Sequence, residues 1–235
     1  GFDGSITFLM AIDAIDGITP GALVYPANTP FRTSLGFMTR SSVEPLPIDF
    51  SLLGRVVDGF GRPLDGKPGS DLKVVKRPSK VINPLLRSPI QDPLDTGIRS
   101  VNGMLSVGRG QRLGIFAGSG VGKSVTLGML ARNCKADVIV ISLVGERGRE
   151  VREFCEDVLG EEALKRAVVV AAPADSSPLA RAKGAWYGTE IAAWFRDQGK
   201  HVVLIVDSLT RFAMAQREIG LSLGEAPVSR RYPPS

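Results

Sequence analysis

The sequence has few of the residues that build most metal and redox sites. Its 235 residues include one histidine, His201, and two cysteines, Cys134 and Cys155. The cysteines form no CxxC motif and have no histidine near them, so a zinc site or a redox pair is not expected. Buried, reduced thiols of a cytoplasmic protein fit this pattern better. A single histidine also excludes catalytic triads and metal clusters that depend on histidine.

Long apolar runs and a strong charge imbalance are also missing. No run approaches the roughly 18 apolar residues that a membrane-spanning helix requires. The net charge is +5, and acidic and basic residues are interleaved, so charge alone gives no argument for a nucleic-acid partner. With 43% apolar and 23% charged residues, the composition is that of an ordinary globular protein.

Turn-forming residues are frequent in the N-terminal part of the chain. Residues 1–50 have short apolar stretches between Gly, Pro and Asp, which predicts a small antiparallel β unit of a few strands. Residues 51–95 are rich in Gly and Pro and show no periodicity. We therefore predict a connecting region with little regular structure there, and with it the domain boundary.

The remaining region, residues 96–235, alternates between two kinds of segment. Short, nearly continuous apolar runs predict strands that are covered on both faces, and helical stretches lie between them. The strands are predicted at 111–117, 137–144, 166–172 and 201–207, and the helices at 123–134, 148–160 and 179–199. The alternation predicts an α/β domain with a parallel sheet. Because ligands bind at the carboxyl ends of such strands, the residues after each run are candidate site residues.

The residues after the first run, AGSGVGKS, match the phosphate-binding loop G-x-x-x-x-G-K-[ST] except at its first position, Ala117. Small residues leave the backbone N–H groups free to point at phosphate oxygens. Lys123 would reach the β- and γ-phosphates, and the Ser124 hydroxyl would coordinate Mg²⁺. A methyl group at Ala117 is tolerable where φ is negative. The predicted ATP-binding residues are Ala117, Gly118, Ser119, Gly120, Val121, Gly122, Lys123, Ser124 and Val125.

Acidic residues follow two further runs. Asp207 ends an apolar strand, as in the second half of the ATPase signature, and would hold Mg²⁺ through the water shell of the ion. Glu146 follows the run at 137–144 and could orient an attacking water. From position alone, Glu146 could equally be a carboxylate near the first turn of the next helix, where it is favoured.

Three segments together resemble the catalytic subunits of rotary-type ATPases, and most closely the flagellar protein-export ATPases of type III secretion. They are TGIRSVNGMLSVGRGQRLGIFAGSGVGKS, VGERGREVREF and DSLTRFAMAQREI. The loop spelling AGSGVGKS, rather than GGAGVGKT, favours the export branch. The resemblance implies that residues 1–50 are part of a β-barrel and that residues 96–235 form a RecA-like domain that is truncated at its C-terminal end. It also implies a homo-hexamer.

The resemblance implies a role for each site residue. Lys123 and the loop amides would bind phosphate, and Ser124 and Asp207 would serve Mg²⁺. Glu146 would be the catalytic carboxylate, with Arg147 near the γ-phosphate. Arg211 would be either a link to a neighbouring subunit or a helix-surface arginine.

The implied function is ATP hydrolysis that energises protein export through the flagellar apparatus. The implied location is the cytoplasm at the inner face of the cytoplasmic membrane, where peripheral association with the membrane is possible. The implied partners are export-apparatus proteins, chaperones and exported flagellar proteins, and no nucleic acid. The alternatives are an injectisome ATPase or the catalytic subunit of a proton-translocating ATP synthase. A non-catalytic nucleotide-binding subunit typically lacks the glutamate seen here, and an RNA translocase would need a stacking platform that is not visible.

In this family, the arginine supplied by the adjacent subunit and the aromatic residue that packs on adenine follow the position of Ser235. The chain also begins at Gly1 rather than at a methionine. We therefore expect these 235 residues to be a truncated piece of the enzyme, with little or no ATP turnover of their own.

Overall fold

Two short antiparallel pairs lie in the N-terminal part of the chain. The computed structural model describes residues 2–3, 6–7, 9–11, 18–24, 31–33, 36–38, 46–73, 83, 85, 87–118 and 120–227. Within them, β1 (Phe2–Asp3) pairs with β2 (Ile6–Thr7), and β3 (Phe31–Thr33) pairs with β4 (Gly36–Met38). The short antiparallel strands are as the turn-rich sequence predicts, while a barrel built from them stays a prediction.

A four-stranded parallel sheet follows. Its strands are β5 (Arg55–Val57), β6 (Val138–Val144), β7 (Ala167–Ala172) and β8 (Val202–Asp207), in the order β5-β7-β6-β8. Every residue of β6 and β7 is buried. The apolar runs at 137–144, 166–172 and 201–207 therefore form strands as predicted, and the predicted parallel α/β architecture is confirmed.

One sequence prediction about this sheet is wrong, and one of the strands was not predicted. Residues 55–57, inside the predicted connecting region, pair with Val168–Val170 as an edge strand. Three residues within a Gly- and Pro-rich segment are too few to show a periodicity. Residues 111–117, predicted as a strand, have no strand structure. None of the described strands hydrogen-bonds to them, and the Phe116 side chain is 97% exposed.

Helices connect and follow the strands. They are α1 (Arg99–Met104), α2 (Lys123–Asn133), α3 (Gly148–Glu153), a π-helix (Phe154–Leu159), α4 (Gly160–Leu164), α5 (Pro178–Asp197) and α6 (Leu209–Ser222), with 3₁₀ turns at Phe50–Leu52 and Gly69–Asp71. The helices predicted at 123–134 and 179–199 are confirmed within two residues at each end. The helix predicted at 148–160 is divided, since α3 passes into the π-helix at Phe154.

The sheet is covered on both faces, and its side chains alternate between them. Val138, Val140, Val168 and Val170 pack with Tyr187, Ile191 and Phe195 of α5. Ile139, Ile141 and Val169 pack on the other face with Leu127 of α2 and Phe154 and Leu159 of the π-helix. Burial on both faces explains why β6 and β7 are nearly continuous apolar runs.

Helix α5 lies unusually close to the sheet because it carries glycine where it crosses β6. A Cβ placed on Gly188 would lie 1.9 Å from the Oγ of Ser142. One turn earlier, a Cβ on Gly184 would lie 3.1 Å from the Cβ of Ala172. The Tyr187 hydroxyl also donates a 2.5 Å hydrogen bond to the Pro47 carbonyl, so α5 joins the segment before β5 to the sheet.

Neither described cysteine is oxidised, and no described helix is suited to crossing a bilayer. Cys134 and Cys155 are both free thiols. Burial raises the pKa of Cys155 to about 11, which keeps it in its unreactive thiol form.

None of the helices within the described ranges combines the length and the hydropathy that a membrane span requires.

Candidate nucleotide-binding site

The phosphate-binding loop ends at the start of α2, and glycine makes its last turn. Gly122 is the N-cap residue of α2 and lies in the left-handed region, with φ of 92°. Gly120 has φ of 78°. No side chain caps α2, so the N–H groups of its first turn are open to an anion. The Gly122 carbonyl accepts the Thr126 N–H at 2.9 Å, which closes the first helical turn.

The predicted ATP-binding residues lie together at the surface. Gly122 and Lys123 are half-buried, and the other described ones are exposed: Ala117, Gly118, Gly120, Val121, Ser124 and Val125. Ser119 lies outside the described residues. An exposed loop with a helix N-terminus behind it leaves room for a triphosphate chain to approach the backbone.

Lys123 contacts Asp207 directly. The Lys123 Nζ donates a hydrogen bond to Oδ1 of Asp207, and the two side chains form an ion pair. Asp207 is the last residue of β8 and is only 4% exposed. The peptide bond that follows it, Asp207–Ser208, is cis. Ser208 then caps α6 by accepting the Arg211 N–H at 3.4 Å.

Glu146 lies at the same edge of the sheet as Asp207. Strands β6 and β8 are neighbours, with Leu143 opposite Asp207, and Glu146 comes two residues after β6. Burial raises the pKa of the Glu146 carboxyl above its ordinary value, and the charge of Asp207 and a hydrogen bond with Glu150 raise it further, while Lys123 and Arg211 oppose the shift. The structure therefore brings Glu146, Asp207 and Lys123 into one electrostatic environment.

Arg147 does not join this group in the structure. It is the N-cap residue of α3, its side chain is 71% exposed, and its nearest ion-pair contact is to Glu150 at 3.7 Å. That i,i+3 pair is typical of a solvent-exposed helix start. A role for Arg147 at the γ-phosphate stays a prediction.

The structure adds three residues that the sequence did not assign to the site. Gly145 has φ of 74°, and a Cβ there would lie 2.8 Å from the Cβ of Arg211. A side chain at that position would therefore displace the start of α6 from the strand end that carries Glu146. Glu150, which pairs with Arg147 at 3.7 Å, lies near enough to Glu146 to help raise the pKa of the Glu146 carboxyl. Ser208 caps α6 behind Asp207, in the pattern of a polar residue that begins a helix.

The described residues fit Mg²⁺ bound with a nucleotide. Mg²⁺ prefers oxygen ligands and is commonly held by one or two carboxylates together with phosphate oxygens. Asp207 supplies a carboxylate, and Ser124 supplies a hydroxyl next to Lys123. Among the residues that the structure describes, no group of three or more His, Cys, Asp or Glu side chains could hold a metal ion by itself. This donor set therefore suits an ion that arrives with phosphate.

Comparisons with known proteins place the chain among ATPases of protein-export systems and ATP synthases. The chain is 56% identical to the flagellum-specific ATP synthase of Pseudomonas aeruginosa over 236 aligned residues, covering 100% of this chain and 49% of that protein. The corresponding protein of Salmonella typhimurium is also 56% identical, with 100% and 50% covered. The chain thus spans about half the length of these relatives.

Solved structures show the same fold. A prototypical ATPase from the type III secretion system of pathogenic bacteria superposes with a TM-score of 0.72 at 44% identity, covering 80% of this chain and 55% of that one. The assembled ATPase EscN from the enteropathogenic E. coli type III secretion system gives a TM-score of 0.72 at 42% identity, covering 85% and 49%.

The family assignment rests on the region that contains the loop and both acidic residues. The model of the ATP synthase alpha/beta family, nucleotide-binding domain, matches residues 97–235. This match covers more than half of the chain and includes Lys123, Glu146 and Asp207. The chain therefore belongs to the ATP synthase alpha/beta family, and residues 97–235 are its nucleotide-binding domain.

Proposed function

We propose that this chain provides the ATP-binding and hydrolytic residues of an ATPase that energises protein export through the flagellar type III apparatus. The observation that carries the hydrolytic part is the contact of Lys123 with Asp207 at the edge of the sheet where Glu146 also lies. A lysine that can reach phosphate, an acid that can hold Mg²⁺ and a second acid that can position water are among the groups that phosphoryl transfer uses.

ATP binding would use the loop and the start of α2. The N–H groups of the loop and of the first turn of α2 would donate to phosphate oxygens. Lys123, which pairs with Asp207, would move its ammonium group towards the β- and γ-phosphates. Asp207 and Ser124 would then hold Mg²⁺, which neutralises charge on the phosphates when it is bound.

Hydrolysis would depend on Glu146. Its carboxylate would accept a hydrogen bond from a water molecule and orient that water towards the γ-phosphate. A raised pKa makes a carboxylate a better proton acceptor near neutral pH, provided that it is deprotonated there. Arg147, at the N-terminus of α3, would turn from Glu150 towards the γ-phosphate and stabilise its charge.

The export function, rather than ATP synthesis, is supported by the relatives and by the loop. Relatives named flagellum-specific ATP synthases are 46% to 56% identical to the chain, and the type III secretion ATPases of known structure are 42% to 44% identical, which favours the flagellar role over the injectisome role. The loop spelling AGSGVGKS agrees with the export branch. We extend the proposal to a homo-hexamer in the cytoplasm at the inner face of the membrane. Its partners would be export-apparatus proteins, chaperones and exported flagellar proteins, and residues 1–50 would belong to a β-barrel.

Complementation tests the export role. The full-length protein would be expressed in a bacterium that lacks its own flagellar export ATPase. Restored motility is the expected result, and the Glu146→Gln variant should fail to restore it at equal protein level. Restored secretion of injectisome substrates without motility would favour the injectisome alternative. No export of either kind, from a protein that hydrolyses ATP, would contradict the export function.

A further inference from the structure

A buried arginine outside the proposed site, Arg181, contacts two segments of the chain that each adjoin a site residue. Arg181 lies in the first turn of α5 and is 9% exposed. Its Nη2 donates to Oε2 of Glu218 at 2.5 Å and its Nη1 donates to Oε1 at 3.3 Å. Its Nε donates to the Ser176 carbonyl at 3.2 Å. All three guanidinium nitrogens are therefore engaged, with two different segments of the chain.

The Ser176 contact leads to Glu146. Ser176 belongs to the loop that follows β7, and Ala174 in the same loop donates its N–H to the Glu146 carbonyl at 2.9 Å. Just before it, Gly145 donates its N–H to the Ala172 carbonyl at 2.7 Å. The backbone around Glu146 is thus held by the end of β7 and by the loop that follows it, and Arg181 contacts that loop.

The Glu218 contact leads to Asp207. Glu218 lies on α6, which begins at Leu209, two residues after Asp207. The start of α6 is held by the Ser208 cap, and Arg211 packs against Gly145. Glu218 lies on the same 14-residue helix that Ser208 begins, so the Arg181–Glu218 contact ties the helix that follows Asp207 to the loop after β7.

We propose that Arg181 is a positioning residue for ATP hydrolysis: it fixes the loop that holds Glu146 relative to the helix that follows Asp207. The proposal rests on the hydrolytic function proposed above. The side-chain hydrogen bonds of Arg181 go to Ser176 and Glu218, and none goes to Lys123 or to the described residues of the phosphate-binding loop. Its effect should therefore fall on the arrangement of the two acids and not on the binding of phosphate. A guanidinium suits this role because its planar fork fixes several partners at once, which a lysine ammonium cannot do.

The experiment compares two buried arginines in the full-length protein. Arg181→Met removes all three contacts, and Arg55→Met is the matched control. Arg55 is equally buried and pairs with Asp65 at 2.6 Å, but it lies on the edge strand β5 and its other contacts are the Lys67 and Pro68 carbonyls. For each variant, kcat, the Kd for a non-hydrolysable Mg²⁺–ATP analogue and the Tm would be measured.

Arg181→Met should lower kcat by about tenfold to a hundredfold, as a displaced catalytic group does, with the Kd for the analogue unchanged within about twofold. Arg55→Met should lose a similar amount of Tm and keep kcat within about twofold of wild type. The positioning role is overturned if Arg181→Met keeps the wild-type kcat, if it loses nucleotide binding in parallel, or if Arg55→Met lowers kcat equally at the same loss of Tm.

Two further variants keep the result interpretable. Glu218→Gln removes the charge of the acceptor but keeps its shape. It should therefore lower kcat, but by less than Arg181→Met does, and leave the Kd unchanged. A wild-type kcat in Glu218→Gln would contradict the positioning role even if Arg181→Met fails to fold. Glu146→Gln in the same preparation tests the underlying function. If wild-type turnover does not depend on Glu146, the proposed function fails, whereas an active wild type with an unaffected Arg181→Met overturns the positioning role alone.

Discussion

Lys123 and Asp207 form an ion pair although 84 positions separate them in the chain. Lys123 begins α2 and Asp207 ends β8, so the pair joins the phosphate-binding loop to the carboxyl edge of the sheet. Each residue was assigned to the site from its own motif. Their contact brings the two predicted motifs together in space.

Removing the ammonium group should therefore weaken nucleotide binding. Lys123→Ala is expected to raise the Kd for Mg²⁺–ATP by about tenfold to a hundredfold, because a hydrogen bond to a charged group contributes about 1.5–3 kcal/mol. Titration with a fluorescent ATP analogue measures the change. Lys135→Ala, just after the other end of α2, removes an exposed pair with Asp95 and should leave the Kd unaltered. Equal weakening by both substitutions would contradict the assignment.

The glycine at the end of the loop offers a second test. Gly122→Ala places a side chain at φ of 92°, which costs about 1–2 kcal/mol for a residue with a Cβ. If the loop relieves that strain by leaving its conformation, ATP affinity should fall by about fivefold to thirtyfold. Gly199→Ala has a similar φ of 75° and similar open space, so it should lose comparable stability with no change in affinity. Unaltered binding by Gly122→Ala would mean that the loop conformation does not matter for phosphate.

Packing of α5 on the sheet can be tested with a double-mutant cycle. Gly188→Ala would place its Cβ 1.9 Å from the Ser142 Oγ and should destabilise the chain by about 1–3 kcal/mol. Ser142→Ala removes that oxygen, so the penalty of Gly188→Ala should be smaller in the Ser142→Ala background. Urea unfolding of the four proteins measures both values. Additive effects would show that Gly188 and Ser142 do not oppose each other in solution.

The Arg55–Asp65 pair should make the free energy of unfolding depend on pH in the acidic range. Burial alone would raise the pKa of Asp65, but hydrogen bonds from Arg55 and from the backbone N–H groups of Lys67 and Val56 hold the pKa below its ordinary value. A lowered pKa means that the stabilisation is complete above the unfolded-state pKa of about 4 and is lost as the pH falls through the folded-state pKa.

Asp65→Asn should therefore lower the free energy of unfolding by about 3 kcal/mol at pH 7. At about pH 3 the free energies of unfolding of the variant and the wild type should lie closer together. Urea unfolding at both pH values measures them. Asp197→Asn, in an exposed pair with Arg196, should change stability by less than about 1 kcal/mol at either pH. A constant difference between wild type and Asp65→Asn across this range would refute the explanation.

The sequence predicts the strands that are buried on both faces because burial leaves a continuous apolar signal. Strands β6 and β7 are of this kind, with every residue buried. Strand β5 has three residues in a segment rich in Gly and Pro, and only its pairing with β7 reveals it. The run at 111–117 shows the opposite case, because an apolar sequence forms a strand only where a neighbour satisfies its backbone hydrogen bonds.

The residues of the candidate site and its surroundings also fall into those that the sequence predicts and those that it does not. The loop, Glu146 and Asp207 were predictable because each follows a local pattern at the end of an apolar run. Arg181 and Glu218 were not, since their relation appears only when α5 packs against α6. Gly145 was missed for a similar reason: its need for glycine comes from the side chain of Arg211, 66 positions further along the chain.

Glu146→Gln tests the central claim most directly, because it removes one charge while keeping the size and hydrogen-bonding shape of the side chain. The full-length protein would be mixed with Mg²⁺–ATP, and bound nucleotide and released phosphate would be measured in the same preparation. We expect wild-type affinity for ATP together with a loss of phosphate release of at least about a hundredfold. Hydrolysis at the wild-type rate, or a parallel loss of ATP binding, would contradict the assignment of Glu146 as the catalytic carboxylate.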